Sequence, residues 1–145
     1  DMTTKRETIL ARLLTQLSGT TDCGSRIYRS RVTALNNRSG NSLIIEPVSD
    51  SCDVNVSTPF CDWTLQVRVS VLAIGNSSTT ADTAADSSVQ SMYAKMMEDL
   101  TVNGNAIDVQ CQSTDFEMID ADQPTAFVST TFNIRYRTEI DRIDQ

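Results

Sequence analysis

The sequence predicts an α+β domain, a mostly antiparallel sheet with two helices packed on one face. Three observations predict it: leucine and isoleucine at helical spacing near the start, methionines at the same spacing near residue 95, and valine-rich alternation between and after them. With 145 residues, 39% of them hydrophobic, the chain has the size of one domain, 1–145, with one core. No apolar run reaches the roughly 20 residues that span a bilayer. The start reads as a polar, capped helix instead of a charged segment leading into an apolar one, so a soluble protein with no secretory signal and no membrane partner is expected.

Thr4, followed three residues later by Glu7, reads as a capping box that opens the first helix, with Thr3 as the neighbouring alternative. Ile9, Leu10, Leu13, Leu14 and Leu17 form its apolar stripe, which one short domain needs for its core, and Gly19 is a plausible stop. Ile27–Leu35 then reads as a strand with Tyr28, Ser30 and Val32 on one face and Arg29 and Arg31 on the other. After a turn rich in Asn, Ser and Gly, Leu43–Val48 forms a second strand, which ends or lies at an edge at Pro47. Residues 49–61 are polar, acidic and broken by Pro59, the pattern of a protruding loop or an irregular hairpin.

From Trp63 the alternation sharpens: Leu65, Val67, Val69 and Val71 face one way, Gln66, Arg68 and Ser70 the other, until Gly75 and Asn76. Small and polar residues at 77–86 lead to a second helix striped by Val89, Met92, Tyr93, Met96, Met97 and Leu100, with an exit turn at Asn103-Gly104. Ile107, Val109 and Cys111 start the next strand, with Cys111 read as a small core residue, and it runs past a polar interruption to Phe116 and Met118. After a turn at Asp120–Pro124, Val128, Thr130, Phe132, Ile134 and Tyr136 line one face of the last strand and Arg135 and Arg137 the other.

Charge and composition exclude several classes of function. There is no histidine, which removes Ser-His and Cys-His nucleophiles and the imidazole ligands of most catalytic zinc sites. Cys23, Cys52, Cys61 and Cys111 contain no C-x-x-C pair, so a zinc knuckle is not expected. Cys52 and Cys61 flank the polar loop, and a disulfide between them stays open, although a reducing cytoplasm argues against it. A hydrolase built on paired acids and a metal would have to draw on Asp108, Asp115, Glu117, Asp120 and Asp122, which lack a ligand signature. No enzyme and no cofactor are expected.

The net charge of −7 is unevenly spread. Residues 1–45 hold seven Lys and Arg against three acids, and residues 46–145 hold five against sixteen, that is +4 and −11. Such asymmetry suits head-to-tail contact between identical subunits, and an acidic surface that keeps a monomer soluble accounts for it equally. Clustered phosphate-binding cations are missing, so nucleic-acid binding is disfavoured.

Taken in order, TKRETILARLLTQL at Thr4–Leu17, YRSR, LIIEPVSD, LQVRVSVLAIG, MYAKMMEDL and FNIRYRTEID resemble the successive segments of phage tail terminators, the minor tail protein U-like family. The resemblance covers essentially the whole chain and rests on the ordered combination, since no single segment is specific. The cysteine-bearing loop at Ser49–Cys61 departs from the family's compact pattern, so no loop contact carries over.

The resemblance implies a ring, typically a hexamer of this chain, in the tail-neck region of a virion assembled in the host bacterial cytoplasm. It would dock on the last ring of the tail tube protein, stop tube growth, and offer its other face to a head completion or neck connector protein. Genomic DNA would pass the lumen without specific binding. Another neck or head-tail joining component is the alternative. On this reading Arg29, Arg31, Arg135 and Arg137 are candidates for contacts between subunits, paired with acids such as Asp50, Asp53, Asp120 or Asp122. Phe60 and Trp63, beside the loop, are hot-spot candidates unless they anchor that loop to its own domain.

Overall fold

A computed structural model describes residues 3–29, 41–54, 59–76, 78–119 and 124–144. In chain order the elements are α1 (Lys5–Gln16), β1 (Ile27–Arg29), β2 (Ser42–Val54), β3 (Phe60–Ile74), α2 (Ala81–Glu98), β4 (Asp108–Ile119) and β5 (Thr125–Glu139). The strands form one five-stranded sheet in the order β1-β2-β3-β5-β4. Among the described residues only the β1–β2 pair is parallel. Helix α1 lies over β1 and β2, and α2 mainly over β3 and β5. The α+β class expected from the sequence is therefore present.

The central pair explains where the core sits. Leu65, Val67 and Val71 of β3 stand opposite Ile134, Phe132 and Val128 of β5, and all six are buried on the helix-bearing face. Ile9, Leu10, Leu13 and Leu17 of α1 and Met92 and Met96 of α2 close that layer. Each such side chain contributes about 1.5–3 kcal/mol on burial. Buried Asn41 adds a polar tie: its Nδ2 donates to the Ala84 carbonyl and the Ser88 hydroxyl of α2, at 2.9 and 2.8 Å.

Several local expectations are corrected. Thr4 caps α1, its hydroxyl accepting from the Glu7 amide at 3.1 Å, but the Glu7 carboxylate is taken by Arg29 and leaves the capping box half made. Helix α2 begins at Ala81, earlier than its apolar stripe suggests, because Ala81, Ala85 and Ser88 are small enough to pack on the sheet. Gly75 makes that start possible. A Cβ there would lie 2.7 Å from the Ala81 amide nitrogen. Tyr93 and Leu100, placed in the stripe by spacing, are 43% and 42% exposed.

Of the alternatives open at Pro47 and in residues 49–61 the structure has the edge position and the hairpin: strand β2 runs on to Val54, and residues 49–54 pair with 61–66. Pro47 is tolerated because β1 pairs only with Leu43–Ile45, so that among the described residues β2 is an edge strand from Glu46 onward. Cys111 is exposed, not core. The remainder of the YRSR strand beyond Arg29 and the Asp120–Gln123 part of the expected turn lie outside the described residues.

Two bulges determine which side chains reach the helices. In β2 the register shifts between Pro47 and Ser49, leaving Val48 extra, and in β4 between Cys111 and Ser113, leaving Gln112 extra. An extra residue reverses the parity of everything after it. Leu43 and Ile45 face the helices before the first bulge, whereas after it Asp50 and Cys52 stand opposite Leu65 and Trp63 on that same face. In β4, Val109 stands opposite buried Ile134, and after the bulge Phe116 and Met118 stand opposite buried Val128 and Ala126.

Candidate subunit and partner interface

The sequence candidates fall into three places. Arg29 forms a two-pronged pair with Glu7 of α1, its Nη2 donating to Oε1 at 2.8 Å and its Nη1 to Oε2. The Arg29 guanidinium holds the Glu7 carboxyl below the usual range, and Glu7 in turn raises Arg29. Arg29 is thus committed within its own chain, on the helix side of the sheet. Arg31, its expected neighbour, and Asp120 and Asp122, its expected acid partners, lie outside the described residues.

A second group sits where α1 meets the far part of the hairpin. The Tyr136 hydroxyl donates to Asp50 Oδ2 at 2.5 Å, and Arg6 Nη1 donates to the same oxygen at 3.1 Å. The Asp50 side chain is only 9% exposed, and its other oxygen, Oδ1, is buried with no partner among the described residues. Burial, and next the Asp50 bond, push the Tyr136 hydroxyl far above its ordinary pKa. Trp63 stacks on Tyr136 with ring centroids 6.0 Å apart and donates from Nε1 to the Thr138 hydroxyl at 2.9 Å. Asp50 and Trp63 therefore anchor the hairpin to its own domain, the second of the two roles open to Trp63.

The third group lies on the opposite, helix-free face near the hairpin end. Arg137 grips Asp62 from Nε at 2.7 Å and Nη2 at 3.4 Å, and its guanidinium stands 5.4 Å from the Phe60 ring centroid. The bond from Arg137 holds the Asp62 carboxyl below the usual range. Arg135, two residues from Arg137 along β5 and on the same face, is exposed, and Asp53, opposite Asp62, is exposed as well. Phe60 also borders a concavity with Pro59, Glu139, Ile140 and Asp141, where Ile140 is 55% exposed. Of the described candidates, Phe60, Asp53, Arg135 and Arg137 share this accessible rim. Exposed ion pairs contribute only about 0–1 kcal/mol, so any partner affinity here would come from Phe60 and Ile140.

The remaining helix-free face is polar and self-paired: Arg68 with Glu46 at 3.2 Å, Gln66 with Gln112 at 2.7 Å, and Ser70 with Ser129 at 2.9 Å. Cys52 and Cys61, on neighbouring strands of the hairpin, are both free thiols. No group of His, Cys, Asp and Glu arranged to hold a metal occurs among the described residues, and no described helix is long and apolar enough to cross a membrane.

Sequence reasoning missed the most exposed aromatic. Phe116 is 68% exposed and Met118 55% exposed, on the helix-bearing face of the edge strand β4. The available signal was parity: apolar residues fall on odd numbers at Val109 and Cys111 and on even numbers at Phe116 and Met118, as a bulge between them requires.

The architecture so assembled is a small α+β sheet domain with an accessible rim of aromatic, acidic and arginine side chains. The sequence matches no known family model and no curated protein.

Proposed function

We propose that this chain is a structural protein of a phage tail, a terminator that closes into a ring on the last ring of the tail tube, stops its growth and presents the surface to which the head's neck proteins join. The observation that carries the reading is the ordered, whole-length resemblance of its segments, Thr4–Leu17 through to FNIRYRTEID, to that family. Two features support it. The resembling segments supply one helix-covered sheet, and the hairpin rim with Phe60, Arg135 and Arg137 leaves apolar and charged side chains accessible to a neighbour.

On this reading the mechanism involves no chemical step. One face of the ring is complementary to the tube end, and the opposite face does not reproduce the surface that the next tube ring needs, so addition stops. The acidic excess of −11 in residues 46–145 would keep the lumen from holding DNA in transit, since fixed phosphate contacts need cations. Electron microscopy of particles lacking this protein tests the reading. The expected result is tails of uncontrolled length with unjoined heads, whereas uniform tails of normal length would assign the protein to the neck instead.

A further inference from the structure

Strand β4 is exposed along most of its length. Every residue from Gln110 to Met118 is exposed, and among the described residues no strand pairs with its outer side. After the bulge at Gln112 its side chains sort by face. Thr114, Phe116 and Met118 stand beside Thr130, Val128 and Ala126, which are buried on the helix-bearing face, while Asp115 and Glu117 stand beside Ser129 and Phe127 on the other. Phe116 borders an open groove whose far wall is α2, with Asp82, Asp86 and Gln90.

Acids therefore flank this edge on both faces. Among the described residues none of Asp82, Asp86, Asp115 and Glu117 is paired with a cation. Arg68, which borders a hollow with Asp115 and Glu117, is held by Glu46 at 3.2 Å. Edge strands are usually protected by lysine, proline, a bulge or a covering element. β4 has neither lysine nor proline, and its bulge precedes the apolar pair, so like-charge repulsion between acids is what opposes the pairing of two such edges. A strand that carries cations escapes that repulsion.

We infer that β4 is the docking strand for an extended segment of a different protein chain, one that alternates lysine or arginine with apolar residues and joins the sheet at its open edge. Main-chain hydrogen bonds to the outer side of β4 supply affinity. The segment's apolar side chains lie beside Phe116 and Met118, and its cations meet Asp115 and Glu117, because alternate residues of a strand face opposite ways. A second copy does not fit. The far edge of the sheet offers β1, whose Arg29 is bound to Glu7, and the outer part of β2, whose Glu46 and Asp53 would set acid against acid. Arg135 and Arg137 alternate as required, but they lie on β5, between β3 and β4, and Arg137 holds Asp62. The inference does not rest on the proposed function, since peptide binding and tail length are separate measurements.

The probe is a synthetic peptide of roughly ten residues that alternates lysine and valine. It is added to the isotope-labelled full chain at about 0.1 M salt and followed by nuclear magnetic resonance. Amide shifts and slowed hydrogen exchange are expected to centre on Ser113–Ile119. Binding should be about tenfold or more tighter than that of a peptide of the same composition with its lysines and valines in two blocks. D115K/E117K, changed at exposed positions, should bind the alternating peptide about tenfold or more weakly and prefer a counterpart that alternates glutamate and valine. Should that variant fail to fold, the reversal is read from the peptide: wild type must bind the glutamate–valine peptide about tenfold or more weakly than the lysine–valine one.

Absence of binding at about millimolar protein and peptide overturns the inference. So does equal binding of the block peptide, protection that falls outside β4, or a folded D115K/E117K variant that still prefers lysine. A wild type that protects its β4 amides by associating with itself before any peptide is added also overturns it, since the occupant is then a second copy.

Discussion

Strands β2 and β4 carry the same device and meet opposite fates. Each has one extra residue, Val48 or Gln112, after which the even-numbered side chains turn to the helix-bearing face. In β2 the residues so turned are Asp50 and Cys52, and Asp50 ends almost buried under Arg6 and Tyr136. In β4 they include Phe116 and Met118, which end exposed. A carboxylate is thus inside and a phenylalanine outside, because Arg6 of α1 and Tyr136 close over Asp50, whereas nothing among the described residues closes over Phe116. Cover by a helix, not the hydrophobicity of the residue, decides burial at these positions, and exposed apolar surface left by missing cover is where a partner is expected.

The comparison can be broken most forcefully at a covered position. Phe132→Ala, fully buried between α2 and the sheet, should cost about 3–5 kcal/mol in urea unfolding. A loss under about 1 kcal/mol would show that α2 does not seal β5. The carboxylate side comes next. Asp50→Ala leaves the buried Tyr136 hydroxyl without its acceptor and Arg6 without its counter-charge, and should cost about 2–3 kcal/mol. Tyr136→Phe in the Asp50→Ala background should recover part of that loss, since the stranded hydroxyl is gone.

A pH titration sharpens the same point. Burial and Asp50 raise the Tyr136 pKa, so the folded state keeps a proton that the unfolded chain releases above about pH 10. The linked stability is fully present below that pH and is lost as pH rises toward the folded value, by about 1.4 kcal/mol per pH unit. Phenolate absorbance from Tyr136 should therefore emerge only with unfolding; its appearance in the folded protein near pH 10 would contradict the buried pair. Smallest of all is the effect at the uncovered position. Phe116→Ala should change the monomer's stability by no more than about 0.5 kcal/mol, as measured by thermal unfolding in high salt.

Much of the fold was legible because periodicity and burial coincide where cover is complete. The stripe of α1, the alternation Leu65–Val71 and the inner row Val128–Tyr136 all face the core as their spacing requires. Cys111 and Tyr93 were misplaced for one reason: an apolar residue at core spacing is buried only if its strand or helix lies inside the covered area. Among the site residues, Asp53, Arg135 and Arg137 proved exposed, Arg137 while paired with Asp62, and Phe60 partly buried, whereas Arg29, Asp50 and Trp63 were taken up by Glu7, Tyr136 and Thr138, partners far away in sequence.

By itself the sequence determined the class of fold, the order of the elements and the separation of basic from acidic segments, because these depend on local spacing and on composition. The tertiary structure alone decided that β1 and β4 lie at opposite sheet edges, that two bulges turn Asp50 and Phe116 onto the helix-bearing face, and that of these two only Asp50 is covered there. Strand order and helix placement are set by contacts between residues far apart in the chain, and no local pattern records them.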